Sequence, residues 1–285
     1  MFVNSGRRNA LLVAVAAASL FGVVLSTSPA SAVEPERQTR PVLVGTRLQF
    51  RYGGECTAGA VVRLNTWGSL LSAKERATRY VVVAKHCANR GDEEVYVKSD
   101  AESARGGIAE VGNVVWRSPD TDLALVKINP TVHNTRACGT TSHGGPSCIP
   151  ITSYSVNALG RVLTASLRTR SIYAQPVPGS GDPGEDETFA TSGSTTGVQL
   201  EWNKLSERAW PTNFRNRRDG DEAASSNTAF LLGGDSGGPV FNASSGKLYG
   251  IITDQLPRTT QPSTMVYIKL SKFFKEMPRY SLVTS

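Results

Sequence analysis

The stretch "LLGGDSGGPVF", residues 231 to 241, sets Ser236 among four glycines and a proline, with Asp235 directly before it. A serine hydroxyl is a weak nucleophile at neutral pH. It becomes a strong one when a base stands within hydrogen-bond reach and a third group orients that base. Attack on a carbonyl also needs amide donors aimed at the oxyanion that forms. Glycines supply the backbone freedom for this: Gly234 can turn its N–H inward beside that of Ser236, and Gly237 and Gly238 let chains approach closely. The chain offers three histidines as base: His86, His133 and His143. His133 and His143 stand in polar turns. His86 ends the apolar run "YVVVAKHC" beside Cys87, as a side chain held rigidly at a strand end would. "SPDTDLALVKI" offers Asp120 and Asp122. Asp122 directly precedes the apolar run that would carry it inward, where an imidazole N–H can satisfy its charge. Asp120, just after Pro119, reads as a turn residue.

Order along the chain narrows the chemistry. Ser236 also centres a G-x-S-x-G pattern, but that nucleophile elbow requires a histidine after the serine. No histidine follows residue 143, and no aspartate precedes position 92, which removes the Asp…His…Ser order of subtilisin. With His86 as base, the order His…Asp…Ser remains.

These groups need a scaffold. From residue 40 onward the chain alternates short apolar runs with turn residues. "GAVVRL" (59–64), "RYVVVA" (79–84), "EVYVK" (94–98), "GNVVWR" (112–117) and "LALVKI" (123–128) come first. "RVLTASL" (161–167), "TGVQLEW" (196–202), "GPVF" (238–241), "KLYGIIT" (247–253) and "TMVYIKL" (264–270) follow. Runs of this length, rich in β-branched and aromatic residues, read as strands. Only "KLSKFFKEM" (269–277) reads as a helix. Many short strands with frequent turns predict an all-β barrel or sandwich. Residues 175–194 and 138–148 read as loops, the second as the boundary between two halves.

The rest of the composition bounds location and partners. Arg7 and Arg8, the apolar run 10–25 and Ala30-Ser31-Ala32 form an export signal with cleavage near Ala32. No later run is apolar enough to span a membrane, so no stable membrane association is expected after cleavage. The formal charge is +7, of which the leader's two arginines supply two. "RNRR" (215–218) is offset by "DGDE" directly after it, and no longer basic face with aromatics suggests nucleic acid. Cys56, Cys87, Cys138 and Cys148 form an even set in an exported chain, which favours two disulfides in one of three pairings. Zinc on Cys138, His143 and Cys148 lacks the usual ligand spacing. The acidic loop 181–187 reads as solvated rather than calcium-binding. No metal or cofactor is required.

"VVVAKHC", "DTDLALVKI", "GGDSGGPV" and, more weakly, "LYGIIT" resemble the chymotrypsin-like (trypsin-fold) serine proteases, and "CTAG…AKHC" is similar to their secreted bacterial members. The resemblance runs from about residue 41 to 275. It implies two six-stranded antiparallel β-barrels packed face to face with the active site in the cleft, and a short C-terminal helix. The domain reading is then leader 1–32, N-terminal extension 33–40, first barrel 41–140 with His86 and Asp122, and second barrel 141–285 with Ser236. It implies the pairings Cys56–Cys87 and Cys138–Cys148, Ser236 as nucleophile, His86 as general base and Asp122 as its orienting acid. It also implies an oxyanion hole from the amides of Gly234 and Ser236, and a buried Asp235. Phe230, Thr253, Asp254 and Gln255 fall at the substrate pocket, with a Thr253 hydroxyl to offer Asp122. Lys85 departs from the family's small residue before the histidine, and "GIITDQ" from its usual pocket wall. The expected function is a secreted, monomeric serine endopeptidase acting on protein or peptide substrates. The alternative is a homologue that lost turnover and acts as a binding or scaffold protein, motivated by the altered 253–255 wall.

Overall fold

The computed structural model describes residues 34–65, 71–98, 107–140, 146–166, 168–211, 220–256 and 262–285. The leader, His143 and the "RNRR" stretch lie outside them. The first part runs β1 (Val42–Val44), β2 (Arg47–Phe50), β3 (Glu55–Thr57), β4 (Ala60–Leu64), α1 (Ala73–Ala77), β5 (Arg79–Ala84), β6 (Glu94–Lys98), β7 (Ile108–Arg117) and β8 (Leu123–Ile128). A long hairpin follows, β9 (Thr131–Thr140) and β10 (Pro146–Ser155), then β11 (Ala158–Ala165) and β12 (Ile172–Pro176). The rest is β13 (Thr188–Gly193), β14 (Gly197–Lys204), β15 (Asp221–Ser226), β16 (Pro239–Phe241), β17 (Leu248–Gln255), β18 (Ser263–Lys269), α2 (Leu270–Glu276) and β19 (Tyr280–Leu282).

The strands from β13 to β18 close into a six-stranded barrel in the order β13-β14-β15-β18-β17-β16. Seven strands of the first part, β2 to β8, and the last strand β19 form an antiparallel half-barrel of eight, β19-β4-β5-β8-β7-β6-β2-β3. Its composition explains its centre: Val81, Val82, Val83 and Ala84 of β5 and Leu123–Val126 of β8 are wholly buried. β-Branched side chains suit a pleated sheet covered on both faces. The chain's last strand, β19, returns to pair with β4, Ser281 opposite Arg63. The barrel packs against this sheet so closely that a Cβ on Gly59 would stand 2.4 Å from Ile251 Cδ1. Trp202 fills the barrel interior with its indole N–H on Thr191 Oγ1, 3.2 Å.

Two stretches read as loops carry strands. Residues 175–194 contain β13, and the described parts of 138–148 lie in β9 and β10, with Cys138 opposite Cys148. Among the described residues these two strands pair only with each other, with Val132, Ile149 and Ile151 exposed. Both disulfides are formed, Cys56–Cys87 and Cys138–Cys148; the second takes both sulfurs that zinc would have needed. Among the described residues, no helix is long and apolar enough to cross a membrane.

Candidate active site

β-Sheet register brings the first two site residues together. β5 and β8 are antiparallel with Ala84 opposite Leu123. The residues that follow β5 and precede β8 therefore meet. The amide of Lys85 donates to the Asp122 carbonyl at 2.9 Å. One residue on, in a 3₁₀ turn over Lys85–Cys87, the backbone N–H of His86 donates to Asp122 Oδ1 at 3.0 Å, and His86 Nδ1 lies 2.6 Å from Asp122 Oδ2. The carboxylate side chain is mostly buried (14% exposed) while the imidazole is half exposed (46%). Asp122 thus fixes both the backbone and the ring of His86, and leaves the ring's far side to solvent. Lys85 extends its ammonium to the Ser118 carbonyl, 2.7 Å. Ser118 in turn receives the amides of Asp120 and Thr121 and donates to Glu276 of α2. Asp120 is exposed in that turn.

Ser236 lies on the loop entering β16. Gly234 and Gly237 have φ of +99° and +83°, values that side-chain-bearing residues rarely adopt. A Cβ on Gly237 would also stand 2.5 Å from the Thr57 carbonyl. Thr57, at the end of β3, ties this loop to the first sheet. Its amide donates to the Ser236 carbonyl (2.8 Å) and its hydroxyl to that of Gly234 (2.7 Å). Cys56, its neighbour, is bridged to Cys87, whose sulfur lies 3.9 Å from the Ser236 carbonyl oxygen. A ring nitrogen of His86 stands within 4.8 Å of both sulfurs. The consecutive pair Cys56-Thr57 therefore holds the histidine side with one residue and the serine side with the other. Sequence reasoning singled out the cysteine and missed the threonine. Its position between a bridged cysteine and the "AG" before β4 was the available signal.

Asp235 is fully buried. Its Oδ1 accepts the amides of Thr195 (2.9 Å) and Thr196 (3.0 Å), and its Oδ2 that of Leu232 (2.8 Å). Burial pushes its carboxyl above the ordinary range, against the pull of those amides. Ser194 and Thr195 add hydroxyl bonds to the carbonyls of Gly234 (3.0 Å) and Gly233 (2.8 Å). The turn 194–196 is thus a cradle for residues 233–235, and no local motif announced it.

The family model described as trypsin-like peptidase domain matches residues 67–251. The chain belongs to the trypsin-like peptidase family. Solved structures share the fold of this peptidase at low identity. Thermobifida fusca protease A is 17% identical with a TM-score of 0.53, covering 86% of this chain and 99% of its own. Cellulomonas bogoriensis chymotrypsin is 16% identical at 0.52, with 86% and 99% covered. Nocardiopsis protease is 16% identical at 0.51, with 85% and 98% covered. No curated protein sequence matches. By membership and fold the chain is a chymotrypsin-like serine endopeptidase.

The remaining expected residues of the peptidase fall on the barrel. Phe230 is half-buried, with its amide on Gln199 Oε1 at 3.4 Å. Its neighbour Leu231 shares the barrel core with Ile252, which precedes Thr253. The Thr253 hydroxyl is directed to the Val266 carbonyl (3.4 Å) rather than to Asp122. Asp254 is exposed and accepts the Gln255 amide at 2.7 Å. His133 sits on the β9–β10 ribbon, bonded to Ser155 Oγ at 2.8 Å.

Proposed function

We propose that the peptidase is exported and cleaves peptide bonds through an acyl-enzyme, with Ser236 as nucleophile, His86 as general base and then acid, and Asp122 as the group that orients His86. The observation that carries this is the double contact of Asp122 with the backbone and ring of His86. With Nδ1 bound to the carboxylate, Nε2 is the ring nitrogen we assign to take the proton. Ser236 Oγ attacks the scissile carbonyl carbon as its proton passes to Nε2. The oxyanion is received by the amides of Gly234 and Ser236. Collapse expels the amine, which takes the proton from Nε2, and water then releases the acyl group by the same steps in reverse. The positive φ of Gly234 supports the oxyanion assignment. The two disulfides and the N-terminal leader pattern support export to an oxidising compartment. We assign the side-chain pocket of the substrate to Phe230, Thr253, Asp254 and Gln255.

The test is covalent labelling by an organophosphonate together with peptide hydrolysis. The mature protein should be labelled at Ser236 alone, and Ser236→Ala should lower kcat by on the order of 10⁴-fold or more. Full hydrolysis by the Ser236→Ala protein sinks the assignment. Absence of both labelling and hydrolysis favours the binding or scaffold reading.

A further inference from the structure

The segment before β1 contains a wholly buried arginine. Arg37 closes a 3₁₀ turn over Pro35–Arg37 and has no exposed surface. Its Nε lies 2.5 Å from Glu34 Oε2. One terminal nitrogen, Nη1, donates both to the Gly45 carbonyl (3.1 Å) and to Ser192 Oγ (2.8 Å). These two acceptors belong to different parts of the fold, the turn after β1 and strand β13.

Each acceptor leads to the nucleophile loop by a short chain of bonds. On one side, the Gly45 amide donates to the Ala58 carbonyl at 2.7 Å. Ala58 follows Thr57, which binds the carbonyls of Ser236 and Gly234. On the other side, Ser192 lies two residues before the turn 194–196 that holds Gly233, Gly234 and Asp235. The two arms meet where the Ser194 amide donates to Thr57 Oγ1, 2.9 Å.

We infer that Arg37 is a positioning residue for the reaction: it ties together the two arms that hold the Gly234–Ser236 backbone, and so sets where the oxyanion donors point. This inference rests on the oxyanion and nucleophile assignments proposed above. Stability alone does not call for an arginine here. A buried guanidinium with one carboxylate partner loses much hydration, and apolar replacement of such pairs is often neutral or stabilising. Its Nη2 is buried without a partner among the described residues, which adds to that cost. What an apolar side chain cannot do is hydrogen-bond both the Gly45 carbonyl and Ser192 at once. Removing Arg37 strands no buried charge, because the Glu34 side chain is 38% exposed and can hydrate. Ser192 keeps its own bond to the Leu163 carbonyl.

The experiment compares Arg37→Met, Arg37→Lys and Ser192→Ala in the mature protein, reading kcat and KM on a chromogenic peptide, phosphonate labelling rate and melting temperature. Arg37→Met should fold and lose roughly 30- to 100-fold in kcat, the scale of a misplaced oxyanion donor, with KM within about twofold. The labelling rate should fall in parallel. Arg37→Lys, which retains the charge without the fork, should fall between the two. Ser192→Ala should lose about tenfold. A folded Arg37→Met protein with wild-type kcat, or one changed in KM alone, overturns the inference. If Arg37→Met does not fold, Ser192→Ala decides: unchanged kcat there overturns it as well. Wild-type protein that neither hydrolyses peptide nor takes the phosphonate overturns the proposed function and this inference with it. Normal wild-type activity with an indifferent Arg37→Met overturns only this inference.

Discussion

His86 and Asp122 sit at the ends of β5 and β8, two strands bonded through six consecutive residue pairs, and a disulfide stands directly beside the histidine. Ser236 sits on a loop before the three-residue strand β16, and that loop carries no cysteine of its own. The loop is held by side-chain hydroxyls, by two positive-φ glycines and by three amides converging on Asp235. On the proposed roles, the base is therefore fixed by regular structure and a covalent staple, the nucleophile by a polar network around a buried acid. Ladders and staples fix a position cheaply, since backbone groups pair anyway. A polar network can impose a backbone that no regular element contains, but each member must be satisfied. An oxyanion hole, which needs inward-pointing amides, calls for the second kind.

The largest expected effect on the site's chemistry comes from crowding that network. A Cβ on Gly193 would stand 2.1 Å from Asp235 Oδ1 and 2.4 Å from its Cγ, with the aspartate fully buried and unable to swing out. Gly193→Ala should destabilise by at least about 1–3 kcal/mol, as overpacked cores do. It should also slow phosphonate labelling by roughly 100-fold, because a displaced Asp235 drags its neighbour. Gly54→Ala, on the histidine's half, meets nothing within 4 Å and should change neither. Labelling of Gly193→Ala at the wild-type rate means the nucleophile loop is not held through Asp235, and the contrast between the halves fails.

The second effect concerns the staples. Replacing Cys56 and Cys87 by serine opens a bridge spanning 31 residues and should cost about 3–4 kcal/mol by loop entropy. It should lower kcat as well, since the bridge adjoins both His86 and the Ser236 carbonyl. Replacing Cys138 and Cys148 opens a span of 10 residues at the tip of a ribbon exposed on both sides. That pair should melt the ribbon locally and leave kcat unchanged. Urea titration and steady-state kinetics on both double variants measure this; equal losses of kcat would mean the staple beside the histidine has no special bearing on the site.

How much of this the sequence announced follows from where its signals are local. β5 and β8 match "RYVVVA" and "LALVKI" residue for residue, because strands buried on both faces are continuous apolar runs. The C-terminal helix lies within "KLSKFFKEM" for the same local reason. Ser236, His86 and Asp122 stood out through residue type and order. The β9–β10 ribbon did not, because both its faces meet water and nothing selects alternating polarity. β15, "DEAASS", carries small side chains whose burial at Ala223, Ala224 and Ser226 depends on its partners in the barrel. Arg37 was illegible for the plainest reason. Arginine is seldom fully buried, and its acceptor Ser192 lies 155 residues away.

The smallest effect tests the buried acid by pH. Burial raises the Asp235 carboxyl above its ordinary 3.8. Between 3.8 and the raised native value the folded state holds more proton than the unfolded one, so this group's contribution to stability falls as pH rises. The slope is at most about 1.4 kcal/mol per pH unit. Glu187, at the lead-in to the same barrel, has the opposite sign. Burial pushes it up, but bonds from Tyr249 Oη, the Gly184 amide and Asn242 Nδ2 outweigh that and hold it below its ordinary value. Its contribution is present above the ordinary carboxylate range and is lost as pH falls through the lowered value. Subtracting the stability–pH curve of Asp235→Asn from that of the wild type should leave a line descending with pH above about 4, near the ordinary aspartate value. The Glu187→Gln difference should rise over the acid range below it. An ascending Asp235 difference would mean that its three amides outweigh burial and the network holds a comfortable carboxylate; the nucleophile's half would then be as unstrained as the ladder that holds the base.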